Sequence, residues 1–370
     1  MRIGVVNSSI PDRLCRIILS VPDYDVAWVA HNGNDAVRQC LVDRPDLVLL
    51  DPDIPGLDGV EAIRQIMERA PCPILIVTRA IDQNAARVFK GIGCGALDAV
   101  NAPLPDGNEQ AQQSRTAFLK KIKTMLKLQG KATILSPPDT VDIRTETAQR
   151  RTTKFFSDST ERLRRKTEAF RKNAIYVPPL VVIGSSTGGP KTLVKLFSRL
   201  PAHLEAAIVV VQHLDQEFSA GLAEWLNIQT PLRVRVAARG THPARGVIDV
   251  AGTNDHLVLT AGLTLAYTPE PHENPYRPSV DVFFRSVSRY WPEPGCAVLL
   301  TGMGRDGAAE LVNLRNLGWH TIAQDQATSV VYGMPKAAKE LDAALEVLPI
   351  EDIGPAILKF VTQAKQMRHA

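Results

Sequence analysis

The first hundred residues repeat one unit, a short unbroken apolar run followed by a stretch with helical spacing. The runs are RIGVV from Arg2, VAWVA from Val26, DLVLL from Asp46, ILIV from Ile74 and LDAV, which ends at Val100. A run with no polar alternate has no face to offer water, so each such strand must be covered on both sides. A parallel sheet flanked by helices does this, and the expected architecture is a five-stranded doubly wound, flavodoxin-like α/β domain over residues 1–126.

The pattern stops and then returns. TILSPPDT from Thr133 breaks the periodicity, and Arg144 to Lys172 is polar, rich in basic residues and poor in spaced hydrophobes. Residues 127–177 therefore read as a polar basic linker with one short helix around Thr160 to Phe170. Its RLRRK segment, Arg162 to Lys166, is weighed as a nucleic-acid or lipid contact and set aside in favour of a solvated face. Beyond it, LVVIGS, AAIVVVQ, VIDVAG, AVLLTG and TIAQ mark a second, mostly parallel α/β domain over 178–370, with helices expected over Pro190 to Arg199 and Gly307 to Leu317.

Composition narrows the function. With 370 residues, a formal net charge of +4 and basic residues spread along the chain, nucleic acid is not the default partner. Cys15, Cys40, Cys72, Cys94 and Cys296 form no CxxC pair and no metal-ligand spacing with histidine, so they read as reduced thiols. The chain opens on a strand, MRIGVV, and no apolar run approaches the roughly 18 residues of a membrane helix. A cytoplasmic protein without membrane insertion is the expectation.

Chemistry in such sheets collects at the carboxyl ends of the strands. In the second domain LVVIGSSTGG drives a strand into a glycine-flanked serine, and Gly184, Ser186 and Gly188 satisfy the GxSxG pattern of a nucleophile elbow. Three readings stand side by side. Ser186 is a nucleophile, or a plain turn and cap residue, or part of a phosphate loop formed by Gly184, Gly189, Lys191 and Thr192. Pro190 weakens the last, because the lysine arrives one residue late and a backbone donor is lost.

Two more strand ends carry polar groups. His213 follows AAIVVVQ and is either a general base or a structural histidine. Asp306, in LLTGMGRDGAAE, is either an orienting carboxylate or the cap of the helix beginning AAELV. Together the three residues would place a nucleophile, a base and a carboxylate on one sheet edge. The rival set Ser186, Asp306 and His320 is disfavoured, since His320 precedes its strand and belongs at the opposite end of the sheet.

In the first domain the strand ends are Asn7 and Ser8, Asp51, Thr78, and Ala102 before Pro103. PDLVLLDPDIPGLDG, Pro45 to Gly59, resembles a response-regulator receiver domain. That resemblance implies Asp51 as phosphoacceptor and Thr78 as the hydroxyl that senses the phosphoryl group. It fails where Asn7 and Ser8 replace the acidic pair that holds Mg²⁺ and where Ala102 replaces a lysine, so Mg²⁺ binding is expected to be impaired. Either Asp51 is phosphorylated slowly, with Asp53 or a partner kinase compensating, or the domain is kept for docking.

From about 178 to 365 the chain is similar to the catalytic domain of the CheB family of protein-glutamate methylesterases, through IGSSTGG, VVQHL, RPSVDVFF, LLTGMGRDGAAE and TIAQDQATSVVYGMP. The resemblance implies Ser186, His213 and Asp306 as a catalytic triad, with Thr187 and Met303 on the oxyanion side and no cofactor for catalysis. It implies hydrolysis of glutamate methyl esters on the cytoplasmic helices of methyl-accepting receptors, with deamidation of receptor glutamines as a second activity and a histidine kinase as phosphodonor. It further implies that the unphosphorylated receiver covers the catalytic cleft. The receiver's departures resemble a Wsp-like branch serving surface-sensing or cyclic-di-GMP pathways. An ATPase and a catalytically silent docking protein are the rivals from other classes.

Overall fold

The computed structural model describes residues 1–79, 81–129 and 177–369. Most of the anticipated linker, including Thr160 to Phe170 and RLRRK, lies outside them. The chain forms two compact units.

The first unit alternates strands and helices as the apolar runs require: β1 (Arg2–Val6), α1 (Pro11–Leu19), β2 (Asp25–Ala30), α2 (Gly33–Val42), β3 (Leu47–Leu50), α3 (Gly59–Arg69), β4 (Ile74–Thr78), α4 (Ile81–Cys94), β5 (Asp98–Asn101) and α5 (Glu109–Gln129). The five strands are parallel in the order β2-β1-β3-β4-β5. Consecutive residues Leu47, Val48, Leu49 and Leu50 are all at 0% exposure, so both faces of the sheet are covered. One core cluster joins Ile3, Val5, Leu49 and Leu75 to Leu14 of α1 and Phe118 of α5. Helix starts follow capping chemistry: Asn32 accepts from the Asp35 N–H at 2.9 Å and Asp58 from the Val60 N–H at 2.9 Å. Strand order reverses direction at β1 and β3, which sets Asn7 and Asp51 side by side.

The second unit runs β6 (Leu180–Ser185), α6 (Gly189–Phe197), β7 (Ala207–Gln212), α7 (Gln216–Gln229), β8 (Arg233–Val236), β9 (Val247–Val250), β10 (His256–Leu259), β11 (Leu265–Thr268), α8 (Val280–Tyr290), β12 (Cys296–Leu299), α9 (Ala308–Asn316), β13 (His320–Gln324), α10 (Met334–Glu340), β14 (Glu346–Leu348) and α11 (Ile350–His369). Seven strands form a sheet in the order β14-β13-β12-β6-β7-β9-β8, with every pairing parallel. The five expected strands are present. The edge strands β8 and β14 and the separate antiparallel pair β10-β11 are additions, built from three or four residues each and too short to announce themselves.

From β6 the chain moves out along one flank through β7 to β8 and β9, then returns on the other side of β6 with β12. The switch point therefore lies between β6 and β12, where a parallel sheet opens a crevice beyond its carboxyl ends. Val182, Val209 and Leu299 pack with Phe283 and Phe284 of α8 and Leu311 of α9. Full burial of the two phenylalanines contributes roughly 3–6 kcal/mol. That packing fixes the start of α8 against the loop after β12. Among the described residues no helix is long and apolar enough to cross a membrane.

Candidate active site

The strand ladder continues one step past β6. Leu300 N–H donates to the Gly184 carbonyl at 2.9 Å, Ser186 N–H to the Thr301 carbonyl at 3.0 Å, and His213 N–H to the Ser185 carbonyl at 3.0 Å. Ser186 is thereby held between the loops after β12 and β7. Its carbonyl accepts from the Gly189 N–H at 2.8 Å and from Gln212 Nε2 at 2.9 Å. Ser186 is half-buried between buried neighbours.

The flanking glycines are steric requirements. A Cβ on Gly184 would come within 3.0 Å of Leu299 Cδ1, besides clashing with Val280. Gly188 has φ of +78°, and a Cβ there would lie 2.5 Å from Val330 Cβ. The phosphate-loop reading does not survive this geometry. Lys191 is exposed, and the Thr192 hydroxyl donates to the Gly188 carbonyl at 2.9 Å within the first turn of α6.

His213 and Asp306 meet across the sheet edge, Nε2 to Oδ2, at 2.7 Å. Asp306 is 5% exposed, so its charge needs donors, and the N-terminus of α8 provides them. Ser279 Oγ donates to Oδ1 at 2.8 Å, Asp281 N–H to Oδ1 at 3.1 Å, and Val280 N–H to Oδ2 at 2.7 Å. Burial raises the proton affinity of Asp306, but His213 and these backbone donors outweigh it and hold the carboxyl below the usual carboxylate range.

The helix-cap reading of Asp306 is thus corrected. It caps α8, two loops away in sequence, and not α9, whose N-cap Gly307 makes no side-chain cap. α9 takes its acceptor from α8 in return, as Glu310 N–H donates to Asp281 Oδ1 at 3.0 Å. Burial first, then the neighbouring charge of Asp306, pushes the Asp281 carboxyl up to about 6.

With Nε2 facing Asp306, the other ring nitrogen of His213, Nδ1, is buried with no hydrogen-bond partner among the described residues. The expected serine–histidine hydrogen bond is therefore not closed. Tyr276 stacks on the imidazole, ring centroids 4.8 Å apart and planes 9° apart. Thr187 is buried and Met303 half-buried on the two loops beside Ser186. Among the described residues neither backbone N–H donates within the chain. His320 opens β13 at the amino end of the sheet, paired with Glu346 at 2.8 Å, far from the edge that carries Asp306.

Ser279, Tyr276 and Asp281 escaped sequence reasoning as site residues. For Ser279 a signal existed, a capping serine after Pro278 and directly before the apolar VDVFF helix start.

In the first unit Asp51 is 3% exposed at the end of β3, and burial raises its proton affinity. Asn7 Nδ2 donates to its Oδ2 at 3.0 Å and the Asp53 N–H to its Oδ1 at 2.9 Å. Thr78 is at 0% exposure with Oγ1 unpartnered among the described residues, and the Ala102 N–H donates to its carbonyl at 2.9 Å.

Comparison with known proteins agrees with both halves. Residues 181–357 match the CheB methylesterase family and residues 8–109 the response regulator receiver domain. The chain is 44% identical over 369 residues to protein-glutamate methylesterase/protein-glutamine glutaminase 2 of Burkholderia pseudomallei, covering 99% of each. It is 45% identical over 361 residues to protein-glutamate methylesterase/protein-glutamine glutaminase 1 of Pseudomonas fluorescens, covering 97% of this chain and 99% of that one. The solved CheB methylesterase catalytic domain of Thermotoga maritima is 35% identical, covering 50% of this chain and 99% of that one, with a TM-score of 0.48. Full-length identity of this order, over a receiver domain and a catalytic domain in the same sequence, places the chain in the CheB methylesterase family.

Proposed function

We propose that this protein is a protein-glutamate methylesterase that also deamidates protein glutamines, with Ser186 as nucleophile, His213 as general base and Asp306 as the carboxylate that orients it. The observation that carries the reading is the 2.7 Å contact between His213 and Asp306 beside a GxSxG serine at the switch point of the sheet. Near full-length identity to named methylesterase/glutaminases supports the substrate class.

His213 Nδ1 takes the Ser186 proton as the hydroxyl oxygen attacks the ester carbonyl, and the N–H groups of Thr187 and Met303 receive the developing oxyanion, each worth about 3 kcal/mol of barrier. His213 then protonates the leaving methoxide, and methanol departs from an acyl-enzyme. Water deprotonated by His213 attacks that ester, freeing the glutamate and Ser186. A glutamine side chain follows the same path and releases ammonia. The buried, four-donor environment of Asp306 keeps it anionic beside the imidazolium that forms.

The substrate side is the cytoplasmic helices of methyl-accepting receptors, and the first unit is the regulatory element, with a histidine kinase as phosphodonor. Asn7, Ser8 and Ala102 at its strand ends support placement in a Wsp-like branch. The test is methanol release from a methylated receptor fragment by wild type and Ser186→Ala. Release by wild type alone is expected, and equal, near-zero release in both would overturn the reading.

A further inference from the structure

Receiver domains hold a divalent ion at the site next to their phosphoacceptor, and the residues here do not fit one. Asn7 Oδ1 accepts from two backbone N–H groups, Ser9 at 2.9 Å and Ile10 at 2.7 Å, so both of its lone pairs are engaged. These contacts also fix the amide orientation, which leaves Nδ2, a donor, directed at Asp51 where a metal site needs an acceptor. The Asp53 carboxylate is paired with Arg87 at 2.9 Å. Among the described residues no group of three or more His, Cys, Asp or Glu is placed to hold a metal.

A cation stands nearby all the same. Arg79 directly follows β4, and its Nη2 donates to Ser9 Oγ at 2.9 Å, which ties it to the loop after β1 on the Asn7 side of Asp51. Its charge reaches Asp51 and opposes the effect of burial there. Next to it in sequence is the fully buried Thr78 hydroxyl, unpartnered among the described residues, at the end of the strand adjoining β3. An orphaned buried hydroxyl is costly unless a ligand completes it at some stage.

We propose that Asp51 accepts a phosphoryl group without a divalent ion, with Arg79 supplying the positive charge and Thr78 the hydroxyl donor for the transferred group. An Asp51 carboxylate oxygen attacks the phosphorus of an acyl phosphate or a phosphohistidine. The bond from phosphorus to the donor's oxygen or nitrogen breaks, and that atom leaves with the electron pair. Three equatorial oxygens carry the charge of the transition state, and a guanidinium meets two of them at once. This inference concerns the first unit alone and stands whether or not Ser186 is the esterase nucleophile.

The test uses the full chain with acetyl phosphate as probe, read by intact mass, in EDTA and in Mg²⁺. Expected is a phosphoryl adduct of similar extent in both, absent in Asp51→Asn. Arg79→Ala slows labelling in EDTA at least about tenfold, while Arg79→Lys, which keeps the charge but not the two-pronged donor, falls between Arg79→Ala and wild type. Arg79 is exposed, so loss of fold is not at issue, and matching thermal melts check this. Absence of an adduct in EDTA, or wild-type labelling by Arg79→Ala, overturns the proposal.

Discussion

His213 presents Nε2 to Asp306 at 2.7 Å and keeps Nδ1 in reserve, buried and unpaired among the described residues. The chain order nucleophile, histidine, acid thus comes with a ring used in the opposite sense from the serine proteases, where Nδ1 faces the carboxylate. What matters chemically is preserved: one ring nitrogen is fixed by an anion, and the other is left free to take a proton.

Replacing His213 by glutamine removes the proposed base while retaining a polar side chain of similar reach. Methanol release is expected to fall by about 10⁴-fold or more, and combining it with Ser186→Ala should cost little beyond the worse single variant. Additive losses would show that the two residues do not act as one unit.

Ser279→Ala deletes one of the four donors that Asp306 has among the described residues and leaves the backbone pair and His213 in place. A charge-assisted hydrogen bond is worth about 1.5–3 kcal/mol, so kcat should drop roughly 10- to 100-fold with KM nearly unchanged. Asp306→Asn keeps the shape and loses the anion, and its kcat should fall further still. Steady-state kinetics on one methylated fragment separates the two.

Tyr276 holds the plane of the His213 ring through a parallel stack. Tyr276→Phe preserves the stack and should stay within about twofold of wild type. Tyr276→Ala loses it, and kcat should fall about 3- to 10-fold, the size of an aromatic pair. Equal losses in both variants would assign the effect to the phenol and not to the ring.

Asp281 carries a carboxyl pushed up to about 6 from 3.8, so the folded protein binds its proton more tightly than the unfolded chain does. The neutral form is the stabilising one: its contribution is present below about pH 4 and is lost as pH rises through about 6, by at most about 3 kcal/mol. Asp281→Asn keeps an oxygen for the Glu310 N–H and removes the charge. Its melting temperature should exceed that of wild type at pH 8 and converge with it near pH 4.

Much of the architecture was legible because its strands are buried on both faces. Leu47 to Leu50 and Ala207 to Val211 leave no alternate polar residue, and such runs have few other solutions. Arg233 to Val236 and the pair His256–Leu259 and Leu265–Thr268 are short and partly polar, and resemble loop sequence. At the site, Ser186, His213 and Asp306 could be placed at strand ends by reading along the chain. The donors that stabilise Asp306 could not, because Ser279 reaches it across 27 positions through the packing of α8. The choice of ring nitrogen likewise depends on where β7 and the β12 loop come to rest, which no local pattern encodes.

Val280 serves the site in a second way. Its backbone N–H feeds Asp306, while its side chain occupies the space where a Cβ on Gly184 or on Gly307 would have to go. Both loops are thus fitted against this valine, with Leu299 beside it. Mutational tolerance in the two loops consequently differs: a larger residue at 184 needs a background where position 280 has shrunk, so drift there proceeds through coupled substitutions, whereas Gly307, at φ +86°, is held by its backbone conformation as well as by the valine.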